Sequence, residues 1–533
     1  MTLLRNTSLA VILSTSLVMG ACSNKDKGPS AEKSAPAKAL GLKAPSDKVF
    51  AKHFEVPSRK VSEAEAKQAL GELNLLKESS DTMSWAKSSG KNGNYSYTDL
   101  TAKDSDGQIT IAKAELVGVH MDEDEATFDR ADFSGIKIYN EDEDVTIIMD
   151  RLSVARPTPD MAKAIISSLK NIEKLDDLNI DDDNADMGFG ALGMSGMKIT
   201  SKDVNLSADS MMWGEDEETN LIDFKLSDVS FNLTEKADDP MTGSLKALSA
   251  TGIRSDLFDN ISNVQRGPLA MMGGFNPLAK MYSTMKMEDL NFDSNYVEIT
   301  SKGFEGRSTE KGGVITQKSV GEPFIIRLKE APKDPQARQA YEMVKELGFD
   351  ELSFKSSQTT ILDSNKDTVA VKDGLLSMKD GFKLSYNYGA SGLKAMTDTM
   401  QASQNEGSAS RQGQADIQAA INNMKLNGFQ LSLEDQSIVD RGIKLAGKLR
   451  GAEPDQVKKE LKVALSLAPL MAGGGLEGEM LGEMAGAFGD FVEDGGTLSI
   501  VMNPKEPLSM TELADYKRSK LSKSDLGFSA KAE

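Results

Sequence analysis

From about Tyr95 onward, apolar and polar residues alternate with a period of two. That is the pattern of strands with one buried face. Asp106-Gly107 followed by Ile109 and Ile111 predicts a hairpin. Phe133, Ile136 and Ile138 lead into the acidic run Glu141–Asp144, and Val145, Ile147 and Met149 follow it. Within 368–388, Asp-Gly pairs at 373 and 380 separate Val369/Val371, Leu376/Met378 and Phe382/Leu384/Tyr386/Tyr388. The spacing predicts an antiparallel meander with a turn at each Asp-Gly pair. The alternate positions are polar, so the sheet is expected to be wet on one side.

Helical patterns punctuate these strands. Ser62 with Glu65 three residues on is a capping box, followed by Ala66, Ala69, Leu70, Leu73 and Leu76 on one face. Further helices are expected near 160–174, 269–286, 335–347, 415–425 and 477–493. Each precedes a strand entry of related form: Asp177-Leu178-Asn179-Ile180, Asp289-Leu290-Asn291-Phe292, Glu351-Leu352-Ser353-Phe354, Gly428-Phe429-Gln430-Leu431 and Thr497-Leu498-Ser499-Ile500. Asp228-Val229-Ser230-Phe231 also fits. Units of roughly 60 residues suggest a sheet extended by duplication. Asp455–Ala472 and Leu476–Val492, joined at Gly473-Gly474-Gly475, predict a helical hairpin. The stretch from Lys517 is polar and reads as frayed.

The fold class expected is therefore α+β: an elongated, repetitive antiparallel β-sheet with interspersed short helices and a C-terminal helical hairpin. The expected organisation is a signal segment at 1–21, a flexible tether at 22–48, a helical segment at 49–92 and repetitive sheet at 93–400. A disordered polar loop at 401–414 and a last repeat with the hairpin at 415–533 complete it.

Composition narrows the chemistry. Lys and Arg number 62 and Asp and Glu 82, a net charge of −20. Phosphate binding needs a basic face, so nucleic acid is not an expected partner. One Cys and two His exclude disulfides and Cys/His zinc centres within the chain, and no cofactor is expected.

The N-terminus carries the most specific signal. Arg5 is the sole charge in residues 1–22, and Leu9–Met19 is an apolar run too short to span a bilayer. Gly20 and Ala21 precede Cys22, the chain's single cysteine. This segment resembles a bacterial lipoprotein signal, departing from it in carrying Met19 where Leu is usual. The resemblance implies cleavage before Cys22, lipid on that residue, and Ser23 as an outer-membrane sorting position. The expected location is then the periplasmic face of the outer membrane, with the membrane as partner through the lipid anchor. Residues 23–48 hold six Lys against Asp26, Glu32 and Asp47 and too few large apolar residues to form a core.

Candidate sites elsewhere are sparse. Gly188–Gly193 and Gly473–Gly478 match G-x-G-x-x-G without the strand-then-helix context that dinucleotide binding requires, and both read as turns. Asp181-Asp182-Asp183-Asn184-Ala185-Asp186 lacks the Gly and Glu of an EF-hand; Asp182, Asp183 and Asp186 stand as a weak calcium candidate. Any serine triad would need His53 or His120. Methionine is abundant, at 27 residues. Met271, Met272 and Phe275 lie in a Gly- and Met-rich segment with two readings: helices that close fully over the sheet as in any α+β core, or helices that cover it incompletely and line a lipid groove.

The chain is similar in outline to AsmA-like envelope proteins, which pair a membrane-anchored N-terminus with long repetitive sheet. The expected function is non-enzymatic: binding, scaffolding or envelope maintenance, with lipid or an envelope protein as partner. An acidic hydrolase of envelope polymers is the alternative reading.

Overall fold

The structure is a computed structural model and describes residues 39–76, 83–103, 107–141, 144–169, 188–234, 240–255, 280–395, 398–399, 411–472, 476–514 and 521–533. Its strands pair in chain order. β1 (Met83–Ser84) and β2 (Lys87–Lys91) both flank β3 (Asn94–Lys103), which pairs with β4 (Gly107–Val117). The small hairpin of β5 (His120–Asp122) and β6 (Glu125–Thr127) stands outside the sheet. The ladder continues through β7 (Arg130–Asn140), β8 (Val145–Pro157), β9 (Phe189–Thr200), β10 (Val204–Asp216), β11 (Leu221–Leu233), β12 (Met241–Arg254), β13 (Thr284–Asp293) and β14 (Val297–Lys311). It goes on through β15 (Val314–Leu328), β16 (Glu351–Asp363), β17 (Thr368–Met378), β18 (Phe382–Ser391) and β19 (Lys425–Asp435). β20 (Thr497–Met502) and β21 (Leu508–Ser509) flank β19, and β22 (Phe528–Ala532) pairs with β20. Twenty strands form this one sheet, and every pairing is antiparallel. It is the long, repetitive α+β sheet that the alternation predicts.

Helices cover the apolar face at both ends. In chain order the helices are α1 (Asp47–Ala51), which lies on the other surface, α2 (Glu63–Glu72), α3 (Pro159–Ser168), α4 (Pro335–Glu346), which buries no residue, α5 (Arg411–Asn423), α6 (Ile438–Arg450), α7 (Pro454–Ala472), α8 (Leu476–Asp494), α9 (Met510–Ala514) and α10 (Lys523–Leu526). Ser62 caps α2 by accepting from the Glu65 N–H at 3.2 Å. The helix then lays Ala69 and Leu70 into a core with Ile109, Ile111, Phe133 and Ile136, which α3 joins through Ala162 and Ile166. Burying side chains of this size stabilises the fold by about 1.5–3 kcal/mol each. At the other end, Ala420 of α5 packs on Ile315, Leu362, Val369 and Ala390. Phe491 of α8 packs on Leu498, Met502 and Phe528.

A transverse seam crosses the sheet. From β3 to β14 each ladder skips a rung along one line, at Asp99, Ala112, Gly135, Asp150, Gly196, Asp209, Asp228, Lys246, Asp289 and Lys302. Every second strand there holds a left-handed residue: Asp99 (φ 54), Gly135 (φ 62), Gly196 (φ 60), Asp228 (φ 47) and Asp289 (φ 44). Glycine and aspartate tolerate that conformation best. The inward set therefore steps by three rather than two, from Tyr97 to Leu100 and from Phe133 to Ile136, yet all four reach the same core.

The seam corrects several expectations. Asp228 and Asp289 lie mid-strand, at left-handed positions, rather than at strand entries. Asp380-Gly381 does connect β17 to β18, but Asp373-Gly374 is an irregularity inside β17, with Asp373 at φ 54. Thr284–Lys286, expected in a helix, begin β13. The C-terminal stretch is not frayed at its end: Phe528 is buried in β22. α5 starts at Arg411, inside the stretch expected as loop.

Candidate functional site

Antiparallel neighbours in direct register share a face, so the pairings define the two surfaces of β9–β14. One surface is apolar in four rows. Beside the seam on one side run Met194, Met211, Leu226, Leu248, Met287 and Phe304. Beyond them come Leu192, Trp213, Phe224, Ala250 and Met285. Across the seam run Met197, Ala208, Val229, Leu245 and Leu290, then Ile199, Leu206, Phe231, Gly243 and Phe292. Trp213 meets Phe224 edge-on at 6.3 Å, and Phe231 meets Phe292 at 6.4 Å. Gly243 separates those two phenylalanines in register, and a Cβ there would stand 2.3 Å from the Phe231 ring.

The large side chains of this stripe are half-buried rather than buried. Among the described residues, no member of β9–β14 belongs to the buried clusters that helices form at either end. At strand spacings the stripe measures roughly 23 by 24 Å, on the order of 500 Å². A patch of that size is large for a solvent-facing surface.

The opposite surface is polar and carries the N-terminal segment. Residues 41–54 run across β14 to β8, against strand order. Glu305 accepts from Gly41 N at 2.8 Å and Leu42 N at 3.2 Å, and Lys286 Nζ donates to Leu42 O at 2.5 Å. Asp47 pairs with Lys225 at 2.6 Å. His53 Nε2 lies 2.9 Å from Asp223 Oδ2, and Lys52 approaches the same carboxylate at 3.4 Å. Asp223 Oδ1 accepts from Gly252 N at 2.9 Å. Burial alone would raise the Asp223 carboxyl, but the His53 bond, the Gly252 N–H and the Lys52 ammonium hold it below its usual range. Arg156 Nη1 donates to His53 O at 2.8 Å.

Two glycines make room for this segment. A Cβ on Gly214 would stand 2.3 Å from the His53 ring, and one on Gly193 3.0 Å from Phe54. Gly188–Gly193 is thus not a turn through its length: Phe189–Gly193 form the start of β9, where a small residue lets another chain segment approach. The segment also corrects the tether's extent, since residues 41–47 dock on the sheet instead of hanging free. Bonds from Glu305 and Lys286 to its backbone, together with the buried Leu42 side chain, hold its outer end, which composition does not register.

The residues singled out from sequence fall elsewhere. Cys22, Asp182, Asp183, Asp186, Met271, Met272 and Phe275 all lie outside the described residues. Of the two histidines, His53 joins Asp223 and His120 Nδ1 lies 2.7 Å from Gly118 O; neither ring meets a serine hydroxyl among the described residues. Among those residues no group of three or more His, Cys, Asp or Glu could hold a metal ion, and no helix is long and apolar enough to cross a membrane. The stripe was legible at Val229, Phe231, Leu290 and Phe292, which the strand pattern picks out, but not at Met285, which falls in the stretch expected as helix. Its continuity across six strands required the register.

A family described as an uncharacterized protein matches residues 375–533, a span running from β17 to the C-terminal helices and β22. No curated protein matches the sequence.

Proposed function

We propose that the chain is a non-enzymatic, lipid-anchored protein of the bacterial envelope, at the periplasmic face of the outer membrane, whose sheet engages acyl chains along its apolar surface. The anchor reading rests on Arg5, the apolar run Leu9–Met19 and Cys22. The observation that carries the lipid reading is the four-row stripe of Met, Leu, Phe and Trp on β9–β14, half-buried between two helix-covered ends. Flexible methionine side chains suit partners of variable apolar shape.

The Cys22→Ser protein, which lacks the acylated residue, tests the lipid reading. A fluorescent acyl probe should bind it at micromolar concentration, and native mass spectrometry should find phospholipid that co-purifies from cells. Leu226→Asp and Met287→Asp should abolish both, because each places a charge where an acyl chain must lie. Asn232→Asp, exposed on the polar surface, should change neither. Absence of both phospholipid and probe binding in the Cys22→Ser protein would end the lipid reading.

A further inference from the structure

The N-terminal segment touches the sheet at separate points on successive strands. Gly41 and Leu42 are held by Glu305 of β14 and Lys286 of β13. Asp47 is held by Lys225 and His53 by Asp223, both of β11. The carbonyls of His53 and Phe54 accept from Arg156 of β8 and Arg130 of β7, at 2.8 and 3.3 Å. From β14 to β8 the segment spans about 29 Å at normal strand spacing.

This geometry differs from that of a strand in the ladder. A segment laid across strands and drawn from its N-terminal end is loaded at one contact at a time, beginning with Glu305. The outer contacts are the charge-assisted bonds of Gly41 and Leu42 to the partly buried Glu305 and Lys286, the buried Leu42 side chain, and the pair made by the exposed Asp47. The inner ones add the buried Phe50, His53 and Asp223. Ser249, in register between Lys225 and Lys286, is buried as well, although β9–β14 contribute to no hydrophobic cluster among the described residues. Strands with so little core of their own should exchange amide protons readily once a covering layer leaves.

We propose that residues 41–56 are a releasable clasp, coupling the chain that precedes them to strands β9–β14. It opens first at Glu305 and Lys286, last at Arg156, and those strands loosen as it opens. The coupling stands whether or not the apolar surface takes lipid.

Hydrogen exchange of the full chain, read by mass spectrometry, tests this without any ligand. Glu305→Ala should raise exchange about tenfold over 41–47 while 52–56 stay protected. Asp223→Ala should raise it across 41–56 and in β9–β14, leaving β3, β4 and β7 at parent rates. Asp47→Lys, at an exposed position, should loosen the clasp, and adding Lys225→Asp should restore it. Two results would overturn the proposal. One is equal protection of 41–56 and the N-terminal core in every variant. The other is a freely exchanging 41–56 over strands that keep their parent rates. The exposed Asp47/Lys225 exchange keeps the test decisive if Asp223→Ala fails to fold.

Discussion

His53 and Asp223 are 170 residues apart in sequence, yet the imidazole Nε2 and the carboxylate Oδ2 stand 2.9 Å apart and both residues are buried. The pair joins the N-terminal segment to the middle of the sheet. Asp223→Asn retains a polar group but weakens a charge-assisted bond, with an expected loss of about 1.5–3 kcal/mol. Because the native carboxyl is held below its ordinary value of 3.8, its contribution is full above that value. It disappears as pH falls through the lower native one. Denaturant midpoints across pH 2–7 should therefore show the parent losing its advantage over Asp223→Asn at the acidic end. An unchanged gap at the lowest pH would contradict the assignment.

Gly214→Ala should disturb the same junction by sterics alone. Its Cβ would stand 2.3 Å from the His53 ring, so the ring or the strand must shift. Overpacking of this kind costs about 1–3 kcal/mol. The effect should shrink in a His53→Gly background, which removes both the ring and the His53 Cβ that would stand 2.6 Å away. A thermal-melt double-mutant cycle with no coupling between the two sites would show that the clash is relieved elsewhere.

How much of this was legible depended on the range of the contacts involved. Period-two alternation exposed the sheet because each strand's pattern is local, and Ser62 with Glu65 marked α2 for the same reason. The left-handed seam was not legible, although its residues were visible. In sequence, Asp228-Val229-Ser230-Phe231 and Asp289-Leu290-Asn291-Phe292 read as a repeat of strand entries. An aspartate between apolar residues looks like a boundary unless the ladder on both sides is known. The His53–Asp223 junction had no sequence signal beyond a histidine in a polar stretch, since its partner comes from a distant strand. Met271, Met272 and Phe275 remain a sequence argument alone.

Cys22→Ser should release the protein from the membrane fraction into the soluble periplasmic fraction, since acyl chains at that residue are the proposed anchor. Among the described residues no helix offers a membrane span. Cell fractionation with a high-salt wash checks this. Retention of the variant in washed membranes would require a second attachment.

Removing divalent metal should leave the melting temperature unchanged, because no group of three or more His, Cys, Asp or Glu among the described residues could hold a metal ion. Differential scanning fluorimetry with EDTA, then calcium or zinc, checks this. Calcium-specific stabilisation would be assigned to Asp182, Asp183 and Asp186 and tested by Asp183→Asn. Zinc-specific recovery would contradict the metal-free reading outright.

The seam makes the sharpest prediction about the sheet itself. Asp228 sits at φ 47, opposite Lys246 in a skipped rung of the ladder, and its side chain is exposed. Nothing there selects for burial, so the backbone conformation governs which residues fit. Asp228→Gly should be neutral or slightly stabilising, and Asp228→Asn neutral. Asp228→Val, with a branched Cβ in a left-handed conformation, should cost about 1–2 kcal/mol. Strand propensity alone predicts the reverse order, since valine is a strong strand former and glycine a weak one. Urea denaturation of the three variants separates the two expectations: if valine proves the most stable, the left-handed seam is not present at Asp228.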